Sequence, residues 1–229
     1  LKQLKLLILQ IVPDNQIGEI WLQGKSITSG YWNKQELTDA SYNARINNAN
    51  DDNRYLRTGD LGFIYHQQLY VTGRLKELII INGKNYYPQD IEQIVEQSHQ
   101  SIRPGQVVAF STAGAQTEEL SITVEITEIN PGLIDEISKA IREAVSQSFN
   151  IYASNIIYLP HKATLKTTSG KLKRNHMKQL FLENKLPCLH VTSSAKTAYL
   201  APRNSFERRL AMIWKQLLNI NDISVTDNF

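Results

Sequence analysis

The chain has 229 residues, 41% hydrophobic and 21% charged, which is enough for one large or two modest packed domains at roughly 150 residues each and excludes wholesale disorder. Its 25 basic and 22 acidic side chains leave a net charge of +3, too small and too dispersed for a nucleic-acid partner. One cysteine, Cys188, excludes an internal disulfide framework and fits a reducing, cytoplasmic setting. No apolar run reaches the roughly 18 residues of a membrane span.

In chain order, the apolar stretch Leu4 to Val12 reads as one buried strand ended by Pro13, and Ile17 to Leu22 as a second. Residues 43–54 are Asn-rich and polar, as in a surface loop. Leu69 to Thr72 and Leu78 to Ile81 resume strand character around Gly73-Arg74-Leu75-Lys76-Glu77. Pro88 suits the first position of a helix that carries Ile91, Ile94 and Val95 on one face. Gln106 to Ser111 reads as a strand. Leu120, Ile122, Val124 and Ile126 alternate with polar residues, the pattern of a half-buried strand. Asn130-Pro131 opens a helix with Ile134, Ile137, Ile141 and Val145 inward, and Asn155 to Leu159 is another strand. After Pro187 the composition turns to that of a linker. A last helix follows, with Asn204 as N-cap, Glu207 three residues on, and Phe206, Leu210, Ile213, Trp214 and Leu217 along one side. This linker and helix are expected to be poorly ordered, or docked through Phe206, Leu210 and Trp214.

The expected fold class is α+β, in four parts. Residues 1–74 form a strand-rich unit and 77–185 a compact α+β domain with a small central sheet flanked by helices. Residues 186–203 are a linker, and 204–229 begin something further.

Three segments have the residue types for chemistry. In Tyr55-Leu-Arg-Thr-Gly-Asp60 a carboxylate beside a glycine can take both hydroxyls of a ribose; equally, it can close a Gly-Asp turn, the commoner use of that pair. Lys162 to Arg174 is a basic, hydroxyl-rich loop whose Gly170-Lys171 step lets a lysine project toward a phosphate or carboxylate. It reads as well as a solvated basic loop, and it lacks the spaced glycine of a P-loop. Gly73 to Glu77 is either a hinge between the two units or a tight turn. The histidines, at 66, 99, 161, 176 and 190, show no metal-ligand spacing, and no metal site is expected. Tyr86, Tyr87 and Trp32 read as packing residues.

Together and in this order, Gly18-Glu-Ile-Trp-Leu-Gln-Gly24 with Gly30-Tyr31-Trp32, Tyr55 to Asp60, Gly73-Arg-Leu-Lys76 and Thr168-Ser-Gly-Lys171 resemble the carboxyl-terminal third of adenylate-forming enzymes. Leu78 to Glu92 and Ile102 to Phe110 are similar to fatty acyl-AMP ligases in particular, where amino-acid-activating domains usually have a Gly-Phe-Arg-Ile type sequence in place of Gly83-Lys84-Asn85-Tyr86. Residues 201–229 look like the start of an acyl or peptidyl carrier domain, cut before the serine that takes phosphopantetheine.

The resemblance implies a two-step reaction. A fatty acid and ATP, with Mg2+ on its phosphates, give an acyl-adenylate; the acyl group then passes to a carrier in a lipopeptide or polyketide assembly line. By this resemblance Lys171 is catalytic, Asp60 and Arg74 hold the ribose, Lys76 is the hinge and Gly83 lies in the post-hinge loop. The chain is expected to be a piece of a longer protein, inactive alone because the phosphate loop and acyl pocket lie outside it. The alternatives are an amino-acid adenylation domain, an acyl-CoA synthetase and a non-catalytic docking module.

Overall fold

Two sheets of different character organise the described residues. The computed structural model describes residues 2–5, 10–47, 53–114, 118–126, 130–193 and 201–218. The first sheet is antiparallel, with strands β1 (Lys2–Lys5), β2 (Gln10–Ile11), β3 (Gly18–Leu22), β4 (Leu56–Tyr65) and β5 (Gln68–Arg74) in the order β2-β1-β3-β4-β5. A short helix, α1 (Gln35–Tyr42), lies between β3 and β4. The expected single strand over Leu4 to Val12 is instead two strands paired antiparallel, Leu4 opposite Ile11 and Lys5 opposite Gln10. An apolar run alone cannot separate one strand from a chain reversal. Trp21, Ile46 and Tyr55 form this unit's buried cluster, and Arg57 lies over the Trp21 ring, 5.6 Å from its centroid, while bonding both oxygens of buried Glu19. Trp32, expected to pack, is 90% exposed.

β5 runs into a single 3₁₀ turn, Leu75–Glu77, and a small hairpin of β6 (Ile79–Ile81) and β7 (Lys84–Tyr86). Beyond it lies the second sheet, β8 (Ile102–Ala113), β9 (Glu118–Ile126), β10 (Ala153–Leu159) and β11 (His190–Ser193), in the order β11-β10-β9-β8. β9 and β10 are parallel, because helix α3 (Pro131–Phe149) carries the chain across between them. Asn130 caps α3 by accepting the Leu133 N–H at 2.8 Å, and Asn150 ends it in the left-handed conformation. α2 (Pro88–Ser98) and α3 cover one face of the sheet: Ile91, Val95, Ile134, Ile137, Ile141 and Val145 meet Leu120, Ile122, Val124 and Ile156. α4 (Arg174–Leu182) sits on the other, where Met177 joins Val108, Phe110, Ile157 and Leu159.

Two expectations are corrected here. β9 is buried on both faces rather than one: Ser121, Thr123 and Glu125 are as inaccessible as Ile122 and Val124 between them. Each has a partner, with Ser121 bonded to Thr112 and Asn155, Thr123 to the Val108 carbonyl, and Glu125 to two backbone amides. Residues 190–193, inside the expected linker, are the edge strand β11, antiparallel to β10. Their carbonyl and hydroxyl groups are held from α3, by Arg142 on the Thr192 carbonyl and Ser138 on its hydroxyl. The last helix, α5 (Ser205–Leu218), has the expected Asn204 cap, which accepts the Glu207 N–H at 2.8 Å. Phe206 and Leu210 on it are exposed and Trp214 is half-buried; the rest of the expected linker, 194–200, and residues 219–229 lie outside the described residues. No described helix is long and apolar enough to cross a membrane.

Candidate functional site

Asp60 is placed by a bulge. Along β3 Trp21 faces Arg57 and Glu19 faces Leu61, so β4 carries two more residues than its partner across Thr58-Gly59-Asp60. Gly59 supplies the positive φ, 71°, that the bulge needs. Thr58 pins the segment: its hydroxyl donates to the Ile20 carbonyl at 2.7 Å and accepts the Asp60 N–H at 3.0 Å. The Gly-Asp pair therefore belongs to a strand and does not close a turn. Opposite it at the end of β5, Arg74 Nε donates to Asp60 Oδ1 at 3.0 Å. Asp60 keeps 34% of its side chain exposed and Arg74 66%. Among the described residues nothing bonds Oδ2, so one carboxylate oxygen is available to an outside hydroxyl.

The hinge candidate follows at once. β5 has one residue too many between Val71, opposite Gly62, and Gly73, opposite Leu61. The carbonyl of that extra residue, Thr72, accepts Gln89 Nε2 at 2.6 Å, and the Tyr87 ring lies so close to Gly73 that a β-carbon there would stand 2.9 Å from it. Residues before the turn thus touch the start of α2 beyond it. Lys76 is exposed within the 3₁₀ turn, and Gly83 with Asn82 forms the two-residue turn of the β6–β7 hairpin.

Lys171 stands on a built hairpin rather than a flexible loop. Lys166 bridges Leu172, the Thr167 N–H meets the Lys171 carbonyl at 2.8 Å, and the Gly170 N–H meets the Thr167 carbonyl at 2.9 Å. Gly170 takes φ 81° to close the turn, and the Thr167 hydroxyl accepts the Lys171 N–H at 3.0 Å. The side chain of Lys171 is exposed.

Two buried carboxylates anchor this hairpin. Ahead of it, Glu125 accepts the Lys162 N–H at 3.1 Å and the Thr164 N–H at 2.8 Å, with Arg103 3.8 Å away. Burial alone would push the Glu125 carboxyl up, but the Thr164 and Lys162 hydrogen bonds and the Arg103 charge outweigh it and hold it below the usual range. Behind the hairpin, Arg174 gives Nε and Nη2 to the two oxygens of Glu92, both at 2.7 Å, and Nη1 to Glu77 at 2.8 Å. Its hydrogen bonds to Glu92, then the Glu92 charge and the bond to and charge of Glu77, hold the guanidinium protonated more firmly than usual against the cost of burial.

Of the expected site residues, the structure joins Asp60 to Arg74 directly and sets Lys76 two residues on. Among the described residues, no hydrogen bond or ion pair joins the Lys171 side chain to any of them. Sequence reasoning gave no individual role to Arg174 and Glu77, which lie in segments it singled out, nor to Glu92, Glu125 and Gln89, and it read Tyr87 as a packing residue. For Glu92 there was one signal, a carboxylate next to Ile91 on the inward side of α2. Among the described residues, no three His, Cys, Asp or Glu side chains are grouped to hold a metal ion.

Comparisons with known proteins identify the family. A family profile, Disco-interacting protein 2-like, AMP domain, matches residues 76–191, half of the chain. A medium-chain-fatty-acid–[acyl-carrier-protein] ligase of Moorena producens is 37% identical over 176 residues, which are 76% of this chain and 29% of that protein. Among solved structures, a fatty acyl-adenylate ligase from work on those of E. coli and L. pneumophila superposes with TM-score 0.65 at 32% identity, covering 80% of this chain and 30% of that one. The structure of McyG A-PCP complexed with phenylalanyl-adenylate gives TM-score 0.66 at 28% identity, over 79% and 31%. The chain thus spans under a third of the length of these relatives. From the profile over residues 76–191, which include the β6–β7 hairpin, the second sheet and the Lys171 hairpin, the chain belongs to the Disco-interacting protein 2-like AMP-domain family, within the adenylate-forming enzymes.

Proposed function

We propose that the chain is the carboxyl-terminal part of an ATP-dependent fatty acyl-AMP ligase that passes its product to a carrier. The observation that carries this reading is the pair of prepared cationic and anionic positions on either side of one turn. Asp60, pinned by Thr58 and bonded to Arg74 through Oδ1 alone, keeps an oxygen for a ribose hydroxyl. Lys171 stands exposed at the tip of a rigid hairpin whose base is bonded to the turn itself, through Arg174 and Glu77.

In the proposed first step a fatty carboxylate attacks the α-phosphorus of ATP. An acyl–phosphate bond forms, the α–β anhydride breaks and pyrophosphate leaves. Two anions approach, so a cation must offset their repulsion as charge moves onto the phosphate oxygens, and Lys171 is that cation. Magnesium, when bound, neutralises the ATP phosphates; this chain's residues hold the ribose through Asp60 and Arg74. Rotation at Lys76, with the Gly83 turn moving on the far side, then withdraws Lys171 and opens the adenylate to a carrier. The thiol of that carrier's phosphopantetheine arm then takes the acyl group as a thioester, the acyl–phosphate bond breaking and AMP leaving. Residues 204–229 are the beginning of such a carrier, and the acyl-carrier ligase and A-PCP relatives support one as partner. The likeness to McyG makes an amino-acid adenylation domain the second reading.

The test uses the intact parent protein with ATP, magnesium and a panel of fatty and amino acids, and with either coenzyme A or a phosphopantetheinylated carrier. Acyl-adenylate and acyl-carrier without acyl-CoA are expected by mass spectrometry. Lys171→Ala should lower adenylate formation by about two to three orders of magnitude. Aminoacyl products would favour the second reading, acyl-CoA a synthetase, and an unaffected Lys171→Ala a docking role.

A further inference from the structure

We infer that Arg174 is a positioning residue for adenylation, fixing the Lys171 hairpin in register with the hinge turn through Glu77; this rests on the reading of Lys171 as the catalytic cation. Arg174 is the first residue of α4 and stands three residues after Lys171. Between them the chain has little freedom. Leu172 is bridged to Lys166, and the Lys173 N–H is bonded to the Leu165 carbonyl at 2.9 Å, so the hairpin tilts as a body with the start of α4.

What sets that start is one guanidinium shared by two carboxylates. Glu92 takes the fork of Arg174 and also accepts the Ala109 N–H at 3.1 Å, tying α2, β8 and α4 at one point. Glu77 takes the remaining nitrogen, and it is the residue after Lys76. Side-chain exposure is 18% for Arg174, 18% for Glu77 and 7% for Glu92, so water screens the group little. Cohesion alone does not call for such a group. Well-packed apolar side chains support a fold as well as a buried ion pair does. A two-pronged guanidinium–carboxylate contact adds direction: it fixes distance and angle together. Here the fork fixes the start of α4 on Glu92 of α2, and the single Nη1 bond to Glu77 carries that placement to the proposed pivot, through residues 97 apart in the chain.

The test compares Arg174→Lys, which keeps the charge and loses the fork, and Glu77→Gln, which keeps the shape and loses the charge, in the intact parent ligase. Adenylate formation is followed by ATP–pyrophosphate exchange, and transfer is followed separately from supplied acyl-adenylate to a phosphopantetheinylated carrier. Arg174→Lys is expected to lower the adenylation kcat about 10- to 100-fold with the KM for ATP changed less than about threefold, and Glu77→Gln to lower it about tenfold. Transfer from supplied adenylate should change less than about threefold in both, because Lys171 is withdrawn in that step. Amide exchange at Gly170, Lys171 and Lys173 should quicken in both variants at unchanged Tm. Equal losses in both half-reactions together with a fallen Tm would overturn the proposal in favour of plain support of the fold, and unchanged adenylation would overturn it outright. If the wild-type parent forms no adenylate from any acid, the enzymatic reading fails by itself. The exchange experiment then still decides the mechanical claim, which wild-type exchange rates in Arg174→Lys would refute.

Discussion

Replacing Glu125 by Gln tests how the segment leading into the Lys171 hairpin is held. The carboxylate is 1% exposed and uses both oxygens, one on the Lys162 N–H at 3.1 Å and one on the Thr164 N–H at 2.8 Å. Gln has nearly the same volume but a single acceptor oxygen, so its NH2 must face one of the two backbone donors. Leaving that donor unsatisfied costs about 1–3 kcal/mol, and the surviving bond, now without a charge, loses about 1 kcal/mol more. Arg103 and His161, each 3.8 Å away and partly in water, add little. The sum is a loss of about 2–4 kcal/mol at pH 7. It is read from the midpoint of urea unfolding followed by far-UV circular dichroism at constant m. The pH dependence has a definite sign. The folded carboxyl titrates below its ordinary value, so the stability it contributes is complete above the unfolded pKa of roughly 4.3 and fades as pH falls through the lower folded one. The gap between wild type and Gln variant should therefore close in acid. A loss under about 0.5 kcal/mol at neutral pH, or a gap that widens in acid, would refute the account.

Two other substitutions probe the first sheet. Gly62→Ala places a methyl 2.5 Å from the Tyr70 carbonyl oxygen and 3.0 Å from Ile20 Cδ1; a neighbouring strand cannot give way as a side-chain tip can, and a loss of about 1–3 kcal/mol is expected in thermal unfolding. A variant as stable as wild type would mean that β4 and β5 are further apart than described. Asp60→Asn in the intact parent should raise the KM for ATP at least about tenfold, the value of hydrogen bonds to a charged group, measured by pyrophosphate release. An unchanged KM would remove Asp60 from ribose binding.

Legibility of the sequence varied with how local the determinants are. The start and inward face of α3 could be read because its cap at Asn130, its proline start and the spacing of Ile134, Ile137, Ile141 and Val145 all agree. β9 could be read as a strand but not as a doubly covered one: alternation reports side-chain chemistry, and only the fold reveals that Ser121, Thr123 and Glu125 find partners on β8, β10 and the loop after β10. Asp60, Arg74 and Lys171 stood out as members of short motifs. Glu77 and Glu92 did not, since their common partner lies 97 and 82 residues away. The bulges that aim Asp60 and expose the Thr72 carbonyl were equally hidden, because register is a property of two strands together.

β11 has a consequence for how copies of the domain behave toward one another. β10, Ala153–Leu159, is uncharged, free of proline and almost wholly inaccessible, the composition that pairs readily with its own kind when an edge is left open. Four residues rich in Ser, Thr and His close that edge and present a short, polar rim in its place. Ending the domain at residue 185, where composition alone would draw the boundary, removes the cover and turns a buried strand into a template for aggregation. Any excised form of the unit that is to stay monomeric at high concentration must therefore run through Ser193.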